Sequence, residues 1–222
     1  MLKRRSVVLG LGSGIGAVSF MLGLGAWRTH SSQPVVNATR PVPIGRMGWS
    51  LIDHHGQPVQ PDDWSGRPIM VFFGFTWCPE VCPTTLSDIS GWLEELGPEA
   101  EHLVVALVSV DPERDTPEVL ADYLSYFDPR IIGLTGSAEQ ISKAAADFRV
   151  FYRKVPLDDG DYTMDHSAGV FLFHPNGHFV STIDFHEDRR FAVPKIRRAL
   201  KPVEERSTCP CPAVFYLSPL PL

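Results

Sequence analysis

The chain has 222 residues, of which 44% are apolar and 21% are charged, and its formal net charge is −6. This composition is that of a globular protein, and the acidic balance argues against a nucleic-acid-binding protein, which would present a basic face. Four cysteines are too few to staple a small domain, and a chain of this length buries a core without them. We therefore expect any cysteine chemistry to be functional.

Residues 1–30 are expected to form a membrane anchor or signal segment outside the folded domain. Residues 6–27 contain no charged side chain, and a helix of about 20 residues crosses a bilayer. The basic residues that precede this run are Lys3, Arg4 and Arg5. The positive-inside rule therefore predicts a transmembrane helix with a cytoplasmic N-terminus and a domain on the outer face of the membrane. We expect this membrane to be a bacterial inner membrane, with the domain in the periplasm. A cleaved signal peptide is the alternative, because residues 23–25 resemble a cleavage site.

The remaining chain divides into three parts. Residues 31–46 are rich in proline and predict a linker. Residues 47–203 have the pattern of one globular domain, and residues 204–222 predict an irregular C-terminal tail. This tail contains Cys209 and Cys211, for which the sequence indicates no firm role.

Strand and helix patterns alternate along the domain. Runs of apolar residues predict strands, and apolar residues at helical spacing predict helices, with prolines in their first turns. In chain order we expect a strand at Ile69–Phe75, a helix from Pro79 to Leu96, a strand at Leu103–Val110, a helix after Asp115 or Thr116, a strand at Ile131–Leu134, a helix at Ala138–Phe148, a hairpin of Gly169–Phe173 and His178–Ile183, and a helix at Pro194–Lys201. This order indicates an α/β thioredoxin-like fold, with a mixed central sheet, flanking helices, and a C-terminal hairpin and helix.

Cys78 and Cys82 stand four residues apart, directly after the first buried strand. On a helix these positions share one face, so both sulfur atoms can point at the same place. The free N–H groups of a first helical turn favour the thiolate form, which binds metals and attacks disulfides. Two chemistries remain open for the pair: a reversible dithiol–disulfide, or a soft metal site for copper(I) or zinc.

His166 precedes the first strand of the hairpin, in the segment TMDHSAGVFLF. Oxidoreductases of the thioredoxin-like fold usually have a cis-proline at this place, beside the cysteines, and this chain has none. The histidine favours metal ligation, because two thiolates and one imidazole form a trigonal site suited to copper(I). An exported thiol-disulfide oxidoreductase is the alternative, with Cys78 as the attacking and Cys82 as the resolving cysteine.

Four segments together resemble the Sco/SenC family over roughly residues 45–200: FFGFTWCPEVCPTTL, SVDPERDTPEVLADY, GLTGS and MDHSAGVFLF. The resemblance implies a membrane-tethered copper chaperone whose copper ligands are Cys78, Cys82 and His166. It further implies delivery of copper(I) or copper(II) to the dinuclear copper centre of cytochrome c oxidase subunit II, or to another copper acceptor. Some members of the family instead reduce the cysteines of that subunit.

Several residues around these motifs have weaker signals. Asp111 and Asp115 are interpreted as a turn former and a helix cap, and the alternative is that one of them supports the metal loop or docks a partner. Trp77 is expected to pack over the site and shield it, and His54 and His55 are expected to face solvent. Because residues 31–188 contain nearly all the acidic side chains of the chain, we also expect a basic docking surface on the partner protein.

Overall fold

The computed structural model describes residues 40–158 and 160–202. The predicted membrane segment, residues 31–39 of the predicted linker, and the tail with Cys209 and Cys211 lie outside the described residues. Within the described ranges, none of the helices has both the length and the apolar character needed to cross a membrane.

The described part of the chain contains nine strands and four α-helices, together with three short 3-10 helices. The elements are β1 (Leu51–Asp53), β2 (Pro58–Val59), β3 (Ile69–Gly74), α1 (Val81–Leu96), β4 (Val104–Ser109), α2 (Pro117–Leu124), β5 (Ile131–Thr135), α3 (Ala138–Phe148), β6 (Tyr152–Pro156), β7 (Tyr162–His166), β8 (Val170–Phe173), β9 (Phe179–Ile183) and α4 (Arg189–Leu200).

Seven strands form one mixed sheet in the order β2-β1-β5-β4-β3-β8-β9. The central strands β3, β4 and β5 are parallel, whereas β8 runs antiparallel to β3. All residues of β3 and β4 are buried, as expected for parallel strands that are covered on both faces. The predicted mixed α/β sheet is therefore confirmed.

Helices cover both faces of this sheet. Phe72 and Phe73 are neighbours on β3, so their side chains point to opposite faces. Phe148 of α3 packs against Phe73 with ring centroids 5.2 Å apart. On the Phe72 face, α2 lies so close to β5 that a Cβ added at Gly133 would be 2.8 Å from Leu124 Cδ1. The core therefore has two layers, one on each side of β3.

Two helices begin at other residues than the sequence predicts. Helix α1 begins at Val81 rather than at Pro79, because Glu80, with a φ of −142°, lies outside the helical region and is the N-cap. Helix α4 begins at Arg189 rather than at Pro194, because the Asp188 side chain caps it by accepting a hydrogen bond from Arg190 N. The proline expected in the first turn thus lies inside the helix.

The hairpin turn of β8 and β9 also anchors the start of the domain. Gly177 in the predicted Pro-Asn-Gly turn has a φ of 77°, which favours glycine. Its carbonyl accepts a hydrogen bond from Ile44 N at 3.0 Å, and Ile44 is only 2% exposed. The last residues of the predicted linker therefore pack against the folded domain.

Strands β6 and β7 form a separate two-stranded sheet, which we call the ribbon. The sequence pattern predicts no strand at either position of this pair. Tyr152 pairs with His166, and Pro156 pairs with Tyr162. The ribbon therefore has His166 as its last residue, beside the main sheet.

Candidate metal centre

The three candidate residues come from three different elements and meet at one end of the sheet. Cys78 lies in the loop after β3, Cys82 lies in the first turn of α1, and His166 ends β7. His166 Nε2 is 3.6 Å from Cys82 Sγ. Cys78 Sγ accepts a hydrogen bond from Cys82 N at 3.4 Å. The trio that the sequence predicts is thus brought together, although Cys78 precedes the helix instead of sharing its face.

The backbone carbonyl of the next residue orients the imidazole of His166. Its Nδ1 lies 3.0 Å from the carbonyl oxygen of Ser167. Because a carbonyl only accepts, we assign the proton to Nδ1, and Nε2 then has a free lone pair facing Cys82. The rings of Phe72 and Phe75 pack edge-on against this imidazole, with centroids 6.2 and 5.8 Å away. This tautomer and apolar lining suit a metal-ligating histidine.

The two cysteines differ sharply in their tendency to ionise. A hydrogen bond from the Cys82 thiol, together with hydrogen bonds from the backbone, lowers the pKa of Cys78 to about 3. The same hydrogen bond and burial raise the pKa of Cys82. Cys78 is partly exposed and Cys82 is fully buried, and both are free cysteines. The pair therefore consists of one accessible thiolate and one protected thiol.

Gly74 at the end of β3 makes room for the buried sulfur atom. A Cβ added there would lie 3.0 Å from Cys82 Sγ and 3.0 Å from Phe72 Cε1. Such distances are shorter than normal van der Waals contacts. A glycine is therefore required for Cys82 to pack directly on the sheet.

Asp115 holds the loop that bears Cys78. It is 1% exposed and accepts hydrogen bonds from Ser109 Oγ and Thr76 Oγ, each at 2.6 Å, and from Thr76 N at 3.2 Å. Burial raises the pKa of its carboxyl group. The interpretation of Asp115 as a helix cap is wrong, because the side chain of Thr116 caps α2. The alternative role, support of the loop, is what its contacts show.

Asp111 joins a second group of contacts on the same loop. Its carboxylate accepts hydrogen bonds from Arg114 Nε at 2.5 Å and from Tyr162 OH at 2.9 Å. Tyr162 lies on the ribbon, so Asp111 links two elements rather than merely forming a turn. The roles of Arg114, Tyr162 and Gly74 have no signal in the sequence, because each depends on a contact between distant segments.

The expectation for Trp77 is wrong, and the expectation for the histidine pair away from the site holds for His55, which is exposed, but not fully for His54. Trp77 is 62% exposed, and its ring lies beside the Arg114 guanidinium at 5.1 Å instead of covering the cysteines. His54 does not simply face solvent, because its Nδ1 accepts a hydrogen bond from Gly133 N at 2.9 Å. That contact closes the edge of β5, and burial lowers the pKa of His54.

No preformed metal cage exists among residues 40–158 and 160–202, since no three or more His, Cys, Asp or Glu side chains are arranged as a complete set of ligands. The contacts that join Cys78, Cys82 and His166 are hydrogen bonds. A soft metal would replace the thiol proton of Cys82, because the metal-binding form of cysteine is the thiolate. The donor set itself, two sulfur atoms and one imidazole nitrogen, fits copper(I).

Comparison with known proteins decides the family. The family model described as SCO1/SenC matches residues 38–201. The chain belongs to the SCO1/SenC family. The resemblance seen in the sequence is thereby confirmed, and the α/β thioredoxin-like fold with its mixed sheet is that of solved Sco structures. The matched range includes all three candidate residues.

Relatives within the SCO1/SenC family cover most of the chain. The copper-bound structure of ScoI from Bradyrhizobium japonicum is 40% identical and covers 72% of this chain and 99% of its own, with a TM-score of 0.65. A SCO2-like protein of Rickettsia felis is 36% identical over 176 residues, 78% of this chain and 85% of the relative. The mitochondrial SCO2 homolog of Mus musculus is 37% identical over 175 residues, 78% of this chain and 68% of the relative.

Proposed function

We propose that this chain is a membrane-tethered metallochaperone that delivers copper to the dinuclear copper centre of cytochrome c oxidase subunit II. Membership of the SCO1/SenC family and the copper-bound ScoI relative support copper as the cargo. The observation that carries the proposal is the position of His166 Nε2, 3.6 Å from Cys82 Sγ, with Nδ1 turned to the Ser167 carbonyl.

Copper(I) binding would use the side chains in the order of their ionisation. The Cys78 thiolate is exposed enough to receive the ion first. Cys82 then loses its proton as it binds, and His166 Nε2 completes a trigonal site. Copper(II) would need a fourth, oxygen ligand. Release would proceed by ligand exchange with thiols of the acceptor, since the partly exposed Cys78 is the sulfur that such thiols reach.

Copper(I) titration tests the ligand set. The reduced full chain, purified in mild detergent, should bind one copper(I), measured by competition with bicinchoninate. Cys78→Ser should abolish this binding, and His166→Ala should weaken it about 10-fold or more. His178→Ala is the matched control, because this histidine is exposed and lies on the β8–β9 turn. Equal binding by wild type, Cys78→Ser and His166→Ala would refute the proposed site.

The N-terminal segment supports a proposal for the cellular location of the domain. We propose that it anchors the chain in a bacterial inner membrane and holds the domain on the periplasmic side, where the acceptor presents its copper site. Copper transfer to a purified periplasmic fragment of subunit II, followed by its visible absorption, should occur from the wild type. A Cys82→Ser chain should transfer none. Transfer that does not depend on Cys82 would contradict delivery of copper from the proposed site.

A thiol-disulfide reductase is the second candidate function, and the asymmetry of the cysteines favours it. The Cys78 thiolate would attack a partner disulfide and release one partner thiolate, forming a mixed disulfide. The buried Cys82, once deprotonated, would displace the second partner sulfur, leaving Cys78–Cys82 oxidised and the partner reduced by two electrons. Single-turnover reduction of oxidised subunit II should then survive His166→Ala and require both cysteines. A loss of reduction in His166→Ala would instead favour the metal-binding role.

A further inference from the structure

The ribbon that bears His166 is joined to the cysteine loop by the side chain of Arg114. Arg114 Nη1 donates a hydrogen bond to the carbonyl oxygen of Tyr162 at 3.0 Å. Its guanidinium lies 3.8 Å from the ring centroid of Tyr162 and 5.1 Å from that of Trp77. Trp77 is the residue before Cys78, and Tyr162 begins the strand that His166 ends. One cation therefore lies between the two segments that contain the candidate ligands.

The carboxylate of Asp111 holds the guanidinium of Arg114 in place. Arg114 Nε and Asp111 Oδ2 are 2.5 Å apart, and the side chains of Arg114 and Asp111 are 15% and 0% exposed. The other carboxylate oxygen of Asp111 accepts from Tyr162 OH at 2.9 Å. A planar guanidinium has fixed N–H directions, so bonds to a carboxylate and a carbonyl define its plane and hence the rings that it can stack on.

The position of the ribbon depends on the contacts of Arg114 and Asp111, because, among the described residues, the ribbon has no pairing with the main sheet to hold it. Strands β6 and β7 pair with each other but with no strand of the seven-stranded sheet, within the part of the chain that the structure describes. An isolated two-stranded ribbon is marginally stable in water. Lys154–Glu113 is a further link to the same loop, but its two side chains are 43% and 66% exposed, and exposed ion pairs contribute little.

We propose that Arg114 is a positioning residue for the copper site, which holds the ribbon, and with it His166, against Cys78 and Cys82. This inference rests on the proposed copper function. Without Arg114, the two cysteines keep their places, because α1 and Asp115 hold them, whereas His166 loses its fixed distance to Cys82. Copper(I) affinity should then fall about 10- to 100-fold, the usual effect of removing a residue that orients a metal ligand.

A double-mutant cycle in copper(I) affinity tests this idea. The full chain is compared as wild type, Arg114→Ala, His166→Ala and the double variant, by bicinchoninate competition under anaerobic, reducing conditions. Arg114 acts through His166, so the double variant should bind copper(I) as His166→Ala does, and the two losses should not add. X-ray absorption of the copper(I)-loaded Arg114→Ala chain should show reduced imidazole scattering. In the copper-free chain, the amides of β7 should exchange faster with deuterium.

Arg153→Ala is the matched control. Arg153 lies on the same ribbon and pairs with Asp165, beside His166, but both side chains are largely exposed. Its removal should leave copper(I) affinity unchanged. If Arg114→Ala does not fold, Tyr162→Phe removes only the hydroxyl bond to Asp111 and should lower the affinity in the same direction. Wild-type affinity in the folded Arg114 variant, or a fully additive cycle, would overturn the proposal. Equal binding by wild type and His166→Ala would instead overturn the proposed ligand set.

Discussion

Replacing Gly74 by alanine should destabilise the domain and displace the Cys82 sulfur. The new Cβ would lie 3.0 Å from Cys82 Sγ and 3.0 Å from Phe72 Cε1, and 3.2 Å from Leu107 Cδ1. All three neighbours are fully buried, so none can move into solvent. Overpacking a tight core lowers the free energy of unfolding by about 1–3 kcal/mol. Replacing glycine also makes the unfolded chain less flexible, which raises the free energy of unfolding by about 0.5–1 kcal/mol. We therefore expect a net loss of about 1–2 kcal/mol in the free energy of unfolding.

Urea denaturation of the reduced full chain measures this loss, and Gly91→Ala provides the matched control. Gly91 lies inside α1, where an added Cβ would meet nothing closer than Arg189 Nη2 at 3.9 Å, so alanine should stabilise by about 0.5–1 kcal/mol. Copper(I) affinity should fall in Gly74→Ala and stay constant in Gly91→Ala. Should Gly74→Ala match the wild type in both stability and copper binding, the close contact between α1 and β3 would not constrain the site.

Two further predictions concern the loop after β4 and the edge of β5. Asp115→Ala leaves the hydroxyl groups of Ser109 and Thr76 without their acceptor, so it should lower the free energy of unfolding by about 2–3 kcal/mol. The control is Asp122→Ala, on the exposed side of α2, which should leave the free energy of unfolding nearly unchanged in the same urea measurement. If Asp115→Ala lowered the free energy of unfolding no more than this control, the role assigned to the Asp115 carboxylate would be wrong. For His54, burial holds the pKa below its usual value, so the unfolded chain binds this proton more readily and stability falls as the pH drops through about 6.5. His54→Asn keeps a hydrogen-bond acceptor but has no titrating group at this position. In urea denaturation, its free energy of unfolding should therefore fall less than that of the wild type between about pH 7.5 and about pH 5.5. An equal fall in both proteins would show that His54 does not cause the pH dependence.

The central strands and the hairpin could be predicted because their signals are local. Strand β3 is a continuous apolar run, and the turn of β8 and β9 contains Asn-Gly between apolar residues. The ribbon gives no such signal, since most residues of β6 are exposed or only half-buried. Its position depends on contacts with the loop after β4, and a sequence pattern does not reveal contacts between distant segments.

The three candidate ligands can be named from the sequence, whereas the residues that contact them cannot. The four-residue spacing of Cys78 and Cys82 and the missing cis-proline at His166 make the trio a sequence-based prediction. Arg114 contacts Tyr162, which lies 48 positions further along the chain, and Gly74 matters only because a buried sulfur packs on it. Asp115 has the residue type of a helix cap, and only its buried contacts with Ser109 and Thr76 show another role.

The topology explains why one loop can control both parts of the site. Strands β3 and β4 are parallel and end side by side, at the pair Gly74 and Ser109, so the loops that follow them emerge at the same edge of the sheet. The loop after β4 therefore reaches Thr76 through Asp115, and it reaches Tyr162 through Arg114. Because the cysteine loop and the ribbon are both attached to this loop, substitutions there should alter copper affinity without touching a ligand.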